Sequence, residues 1–435
     1  MRFLKKYKKH AFSRFLKILG PGLITGAADD DPSGIATYSQ TGAQFGYGQL
    51  WTVIFMYPLM TAVQEACARV GAVTGKGIAA VVRDNYNKKM LYAVVLLVVV
   101  ANTINIGADI GAMAESMQLV IPLPFFYWAI GFTIVMLSFE IFTSYAAYAK
   151  ILKWLSLALF AYPITAIIAG QNWPMVLKAV VVPHIEFTFS FFFILTGVLG
   201  TTISPYMFFW QASEEVEEEI KGKRLSQSLS HAPRISRRFI KNIRIDTLLG
   251  MFFSEIIAFF IIVTTASVLN GNGVTNIETA ADAAKALEPL VSTFPNSGLI
   301  AKSIFAAGVV GIGLLAVPIL AGSASYALSE ALNWNTGLHF KIKKAYGFYG
   351  VIIAATLIGL FINFIGIDPI KALVFTAVFN GIAAVPLIFV IIKISGNNKI
   401  MGEYKSGKLS RSLLITTFIT MTTSVILMFI ALLSR

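Results

Sequence analysis

Gly26-Ala27-Ala28-Asp29-Asp30-Asp31-Pro32-Ser33-Gly34 decides how the chain is read. Apolar runs flank it, at 15–25 and 35–45. Together they would make one membrane-spanning helix, which needs about 20 mostly apolar residues. Three consecutive carboxylates in its middle contradict that. An ionisable group at bilayer depth costs about 2.5–3.5 kcal/mol or more, so it faces a cavity or marks a pathway. Pro32 removes a backbone donor and disfavours helix at Asp31, and Gly34 loosens the chain further. The stretch therefore predicts a broken helix whose first half ends near Asp30. That end is the negative pole of a helix dipole, and acids are poorly placed there unless a cation is present. The inference is a cation site at the membrane midplane.

The composition agrees with a membrane setting. The chain of 435 residues is 56% hydrophobic and 13% charged, with mean hydropathy +0.73. These values exclude an ordinary soluble domain. One cysteine, Cys67, rules out an intrachain disulfide. The net charge of +13 would suit nucleic acid, but its placement argues against that. No cleavable signal peptide is expected, because the apolar run after 5–17 leads into acids and Pro.

Eleven apolar spans are read near 15–45, 48–71, 89–118, 124–142, 151–171, 190–213, 246–270, 298–330, 344–366, 370–394 and 410–433. With the N-terminus in the cytoplasm, inner segments hold 29 Lys and Arg and outer segments 5. The asymmetry orients the N-terminus inside and the C-terminus outside. The inner connection 214–244 opens with Glu214, Glu215, Glu217, Glu218 and Glu219 before turning basic. It reads as a solvated helix extension at the inner leaflet, with a cation-attracting vestibule as the other reading. The outer segment 270–297 should hold a short helix near 280–287.

Span six repeats the anomaly of span one. The strongly apolar 189–199 gives way to Gly200-Thr201-Thr202-Ile203-Ser204-Pro205-Tyr206. The two breaks lie five spans apart, so spans one to five and six to ten form two candidate halves of an inverted repeat. Interrupted helices at matching positions are the best sequence pointer to a transport site; a simple Pro kink is the plainer alternative for span six. On span three Asn102, Asn105 and Asp109 share one helical face. Helix–helix hydrogen bonding accounts for the asparagines, while Asp109 needs a structural partner or belongs to a pathway. Glu65 and Arg69 are spaced as an ion pair. Glu255 and Glu330 have no assignable partner, and Asn380 is a candidate for lining the site.

Gly20-Pro21-Gly22, Asp31-Pro32-Ser33-Gly34 and 200–206 resemble the Nramp family of divalent-metal transporters, over essentially the whole chain. The resemblance implies an all-α membrane protein of eleven transmembrane helices. It implies a LeuT-type fold with inverted five-helix repeats at about 15–171 and 190–394, an extra span at about 410–433, and metal held between broken helices one and six. The family's Asp-Pro-Gly-Asn places its Asp on Asp31 and its Asn on Gly34. Its Ala-x-x-Met-Pro-His places a carbonyl donor on Thr201, Met on Ser204 and His on Tyr206. Loss of the thioether removes a soft ligand, and the smaller groups suit a hydrated ion such as Mg²⁺, which prefers oxygen and sheds water reluctantly. This is the pattern of the Nramp-related magnesium transporter branch. Asp30 and Asp29 would then accept from bound water or face solvent.

The resemblance also bears on coupling. Span six has Tyr206 for His, span three reads Asp109-Ile110-Gly111-Ala112 where the family has a second acid, and span nine lacks internal arginines. None of His10, His184, His231 and His339 falls in a span. The expectation is therefore uptake of hydrated Mg²⁺, and also Mn²⁺, across the cytoplasmic membrane without obligatory proton coupling. No cofactor, nucleic acid or protein partner is implied, and a monomer suffices beside the metal ion and the lipid bilayer. Proton-coupled Mn²⁺/Fe²⁺ symport is the main alternative. A sodium-coupled amino-acid carrier is disfavoured because three Asp would repel a substrate carboxylate. An intramembrane aspartyl protease using Asp31 and Asp109 lacks the Gly-x-Gly-Asp motif.

Overall fold

The computed structural model describes residues 26, 29–142, 157–222 and 235–434. Among them every regular element is helical. The helices are α1 Pro32–Phe45, α2 Trp51–Thr74, α3 Ile78–Asn85, α4 Lys88–Gln118, α5 Phe125–Phe142, α6 Ala161–Ile168, α7 Trp173–Val181, α8 Phe189–Thr202 and α9 Pro205–Lys221. They continue with α10 Arg237–Val268, α11 Ala280–Lys285, α12 Glu288–Val291, α13 Ser297–Ala331, α14 Tyr346–Ile362, α15 Pro369–Gly396, α16 Asn398–Met401 and α17 Lys408–Leu433. Seven described spans are long and apolar enough to cross a membrane, with α8 and α9 together making one of 33 residues. An eighth arises if Leu157–Ile168 and Trp173–Val181, which meet at 117°, count as one.

Of the eleven spans read from the sequence, three, four, six, seven, eight, ten and eleven fall on the seven qualifying helices, while the residues of spans two and nine form α2 and the shorter α14. The first half of span one and residues 151–156 of span five lie outside the described residues. The small helix expected near 280–287 is α11, closed by a reciprocal Thr279–Asp282 capping box.

Small residues set how closely the helices approach, as expected where lipid supplies no hydrophobic drive between them. A Cβ on Gly200 of α8 would run into the Ala377 carbonyl and the Gly381 backbone of α15. Gly71 of α2 stands in the same way against the Ala212 carbonyl of α9. These contacts bring the interrupted α8–α9 span into the middle of the bundle, where almost all of it is buried. Apolar side chains such as Ile134, Phe142, Phe361 and Leu433 are exposed on the periphery, the solvent-free face that lipid would cover.

Two polar clusters tie the helices together at one end. Arg69 and Glu65 form the expected pair, with Arg69 Nε to Glu65 Oε1 at 3.0 Å and Nη2 to Oε2 at 3.1 Å. Arg244 adds a second cation at 2.7 Å, and Arg69 also donates to the Tyr404 carbonyl.

The acid run corrects the sequence reading. Glu214, Glu215, Glu217 and Glu219 are buried, not solvated, because α9 runs between α2 and α13. Glu217 accepts from Tyr326 Oη at 3.0 Å, from the Leu338 amide at 2.8 Å, and lies 3.0 Å from His339 Nδ1. Glu330 also finds partners, accepting from the Ala80 amide at 3.1 Å and the Ser213 hydroxyl at 3.3 Å. His184 and His339 lie in connections outside the helices; His10 and His231 lie outside the described residues.

Candidate metal centre

The first break falls at Asp30–Asp31. Asp29 is helical, and Asp31 is extended at φ −61° and ψ 172° as the N-cap of α1, with Pro32 at the first helical position. Pro there loses nothing, since its missing N–H would have had no partner in the first turn. Asp31 Oδ1 caps the helix, accepting from the Gly34 amide at 2.8 Å and from the Ser33 hydroxyl at 2.6 Å. Its Oδ2 accepts from Asn105 Nδ2 of α4 at 2.8 Å.

The second break falls at Ile203–Ser204. α8 closes with the Ile203 amide on the Leu199 carbonyl, and Ser204 is the extended N-cap of α9 ahead of Pro205. The Ser204 hydroxyl turns back to the Thr201 carbonyl, a short contact, and to the Gly200 carbonyl at 3.3 Å. The carbonyl expected to face the metal is thus already engaged on one of its two lone pairs.

The breaks face each other. A Cβ on Gly34 would stand 3.1 Å from Thr201 Oγ1, and Tyr38 Oη lies 2.9 Å from Thr202 Oγ1. Asp31, Gly34, Thr201, Ser204 and Tyr206 are all buried at this crossing. The Tyr206 carbonyl accepts from Ser323 of α13 at 2.7 Å, and its side chain is within electrostatic range of Asp31, Asp29, Asp109 and Asp30.

Asp30 departs from the expectation. It and Asp29 do not face solvent. Both are buried, and both receive the Ser254 hydroxyl of α10, at 3.2 and 3.0 Å. Glu255, left without a partner by the sequence, joins that acid group.

Asn105 was missed as a site residue. Its fit to helix–helix bonding holds for Asn102, which donates to the Leu320 carbonyl at 2.9 Å. Asn105 instead reaches Asp31, and the available signal was its shared face with Asp109. The Asn380 amide is buried without an acceptor.

A carboxylate offers about four acceptor positions. The Ser33 hydroxyl and the Gly34 amide occupy Oδ1, the Ser33 amide also serves the carboxylate, and Asn105 takes Oδ2, where the open acceptor position lies. Among the described residues no three His, Cys, Asp or Glu side chains form a metal-holding group. A cation at the crossing would take protein ligands from one carboxylate position and neutral oxygens, and the position where the resemblance expects a thioether is the Ser204 hydroxyl.

The family pattern described as natural resistance-associated macrophage protein-like matches residues 22–431. A protein named divalent metal cation transporter MntH from Caldanaerobacter subterraneus subsp. tengcongensis is 24% identical over 415 residues, covering 93% of this chain and 91% of its own. A MntH from Klebsiella pneumoniae is 24% identical over 396 residues, covering 89% and 87%.

Among solved structures, the Eremococcus coleocola manganese transporter superposes with a TM-score of 0.71 at 15% identity, covering 95% of this chain and 86% of that one. MhsT, solved with L-phenylalanine, gives 0.56 at 13% identity, covering 94% and 98%. These likenesses establish the all-helical, LeuT-type fold. Nramp proteins are transporters rather than enzymes, which removes the protease reading. The match across nearly the whole length settles the lineage: this multi-pass membrane protein belongs to the Nramp family.

Proposed function

We propose that the chain imports hydrated divalent cations, with Mg²⁺ preferred and Mn²⁺ also carried, by alternating access around the crossing of the two breaks. Asp31 is the direct ligand through the open position on Oδ2. Thr201 offers the second lone pair of its carbonyl, while Gly34, Ser204 and Tyr206 shape an oxygen-lined pocket. Asp30 contributes negative potential from the Ser254 side rather than a ligand.

The observation that carries this reading is the nearly filled carboxylate of Asp31, facing a break where the hydroxyl of Ser204 stands in place of the thioether that the resemblance expects. One inner-sphere protein charge suits an ion that keeps most of its water, and thioether-free oxygen sites do not favour transition metals. The full architecture proposed is eleven spans in two inverted repeats plus one, the N-terminus cytoplasmic and the C-terminus outside, working as a monomer. Uptake of Mg²⁺, Mn²⁺ and Ca²⁺ into proteoliposomes, with a pH dye inside, tests it. Asp31-dependent Mg²⁺ uptake without acidification is expected; uptake of Mn²⁺ alone would overturn it.

Proton-coupled Mn²⁺ or Fe²⁺ symport is the second reading. Two observations favour it: the relatives named as MntH, and the acid at Asp109, which has no hydrogen-bond partner. Metal-dependent acidification would support this reading over the first.

A further inference from the structure

The one open acceptor position on Asp31 lies on Oδ2, the oxygen that Asn105 holds. A cation bound there is therefore brought toward α4, a helix the family resemblance does not use for ligation. What α4 presents is a row of unsatisfied oxygens. Asn105 Oδ1, Asp109 Oδ1 and Asp109 Oδ2 are buried with no hydrogen-bond donor, and both residues are 0% exposed. Asp109 is one turn beyond Asn105 on the same face and lies within electrostatic range of Asp31 and of Tyr206. Across the crossing, Thr201 Oγ1 is likewise buried without a partner.

Leaving such acceptors empty is costly, and more so for a charge than for a neutral group. The orphans on α4 are all acceptors and the Thr201 hydroxyl opposite can accept too, so together they ask for something that donates in several directions at once. Water on a divalent cation does this, since its hydrogens point away from the metal and are polarised by it. Bare metal does not, because it would need the oxygens themselves at bonding distance.

We propose that α4 forms an outer-sphere wall of the transport site: Asp109 and Asn105 Oδ1 accept from metal-bound water, and Asn105 Nδ2 positions Asp31. This rests on the hydrated-ion reading above and goes further, assigning Asp109 to cation recognition rather than to a proton route. The wall selects an ion by the size and rigidity of its water shell. Mg²⁺ holds near-octahedral water firmly, whereas Ca²⁺ has a looser and larger shell.

The test uses full-length protein in detergent and in liposomes, with two probes. One is Mg²⁺. The other is hexaamminecobalt(III), whose ammines do not exchange, so it can bind only through outer-sphere hydrogen bonds. In the wild type both should bind and compete. Asp109→Asn should weaken both by about 10- to 100-fold, the usual cost of losing an outer-shell partner. Thermal stability of the ion-free protein should not fall, and Asp109→Glu should recover part of the loss. Asn105→Leu should weaken Mg²⁺ in the same range.

Wild-type affinity for both probes in Asp109→Asn would overturn the wall while leaving Asp31-dependent Mg²⁺ uptake intact. A change confined to proton movement would overturn it equally. If the wild type binds no Mg²⁺, or Asp31→Ala binds it normally, the parent reading fails and takes this one with it. Should Asp109→Asn not fold, Asp109→Glu and Asn105→Leu measured with both probes decide the matter alone.

Discussion

Gly34 and Thr201, 167 positions apart in sequence, meet where the two interrupted spans cross: a Cβ on Gly34 would stand 3.1 Å from the threonine hydroxyl. That spacing is tighter than a relaxed contact. Gly34→Ala should be tolerated, since the Thr201 hydroxyl can turn aside. Gly34→Asn, which places the family's amide there, should fill the pocket. Its expected outcome is a fall in Mg²⁺ uptake of at least about 10-fold with Mn²⁺ uptake kept or raised. Competitive uptake of the two ions reads this directly, and unchanged Mg²⁺ preference would count against the roomy site.

Asp31 has a fold role and a proposed transport role, and they can be separated. Its Oδ1 caps α1, and losing an N-cap costs about 0.5–2 kcal/mol. Asp31→Ser keeps a capping oxygen and removes the charge. This variant should hold its melting temperature nearer to wild type than Asp31→Ala does. Both should lose divalent uptake. Thermal unfolding in detergent beside uptake in liposomes checks the pair of outcomes.

Glu65 and Arg69 are buried together, and Arg244 leans on the same carboxylate. Removing one member leaves buried charge uncompensated, at about 3–5 kcal/mol. Glu65→Gln should therefore lower stability sharply, by more than Arg244→Gln, whose side chain is half exposed. A denaturation series comparing the two variants tests the ranking.

Close helix contacts give a steric prediction. Gly200→Leu would drive a side chain into the Ala377 carbonyl and the Gly381 backbone. Overpacking of this kind costs about 1–3 kcal/mol or more. Reduced yield of folded protein is expected, without rescue by added Mg²⁺. Gly350, with nothing near its would-be Cβ, should accept Ala freely.

Acid should weaken one peripheral lock. Partial burial would raise the Asp84 pKa, but hydrogen bonds from Lys76 and Arg83 outweigh it and hold the group below the usual carboxylate range. Its folded pKa is thus below its unfolded value of about 3.9. The stabilisation is present above that value and is lost as pH falls through the folded pKa. Partners this exposed contribute about 0–1 kcal/mol. Asp84→Asn should cost that little at neutral pH, and the gap to wild type should close at strongly acidic pH.

Much of this was legible in the chain. Three acids ahead of Pro32 in an apolar run admit few readings, and Ser204-Pro205 repeats the device. What escaped is what depends on distant partners. Asn105 looked like any helix-packing amide, because Asp31 lies 74 positions away. The Glu214–Glu219 run looked solvated, because charge density alone suggests water; its burial comes from packing between α2 and α13, and the partners of Glu217, namely Tyr326, Leu338 and His339, are all more than 100 positions on. Asp30 was read beside Asp31, yet a helix end turns neighbouring side chains to different walls, and Ser254 receives it.

The carboxylate of Glu217 gathers a phenol, an amide and an imidazole from α13 and the connection after it, and it sits on the same rigid rod whose first residues shape the Ser204 turn. About 20 Å of unbroken helix separates the two. In the proposed alternating-access cycle, a tilt of this helix at the crossing would move the Glu217 knot with it, so that the grip on Glu217 and the grip on the proposed cargo would act at opposite ends of one lever.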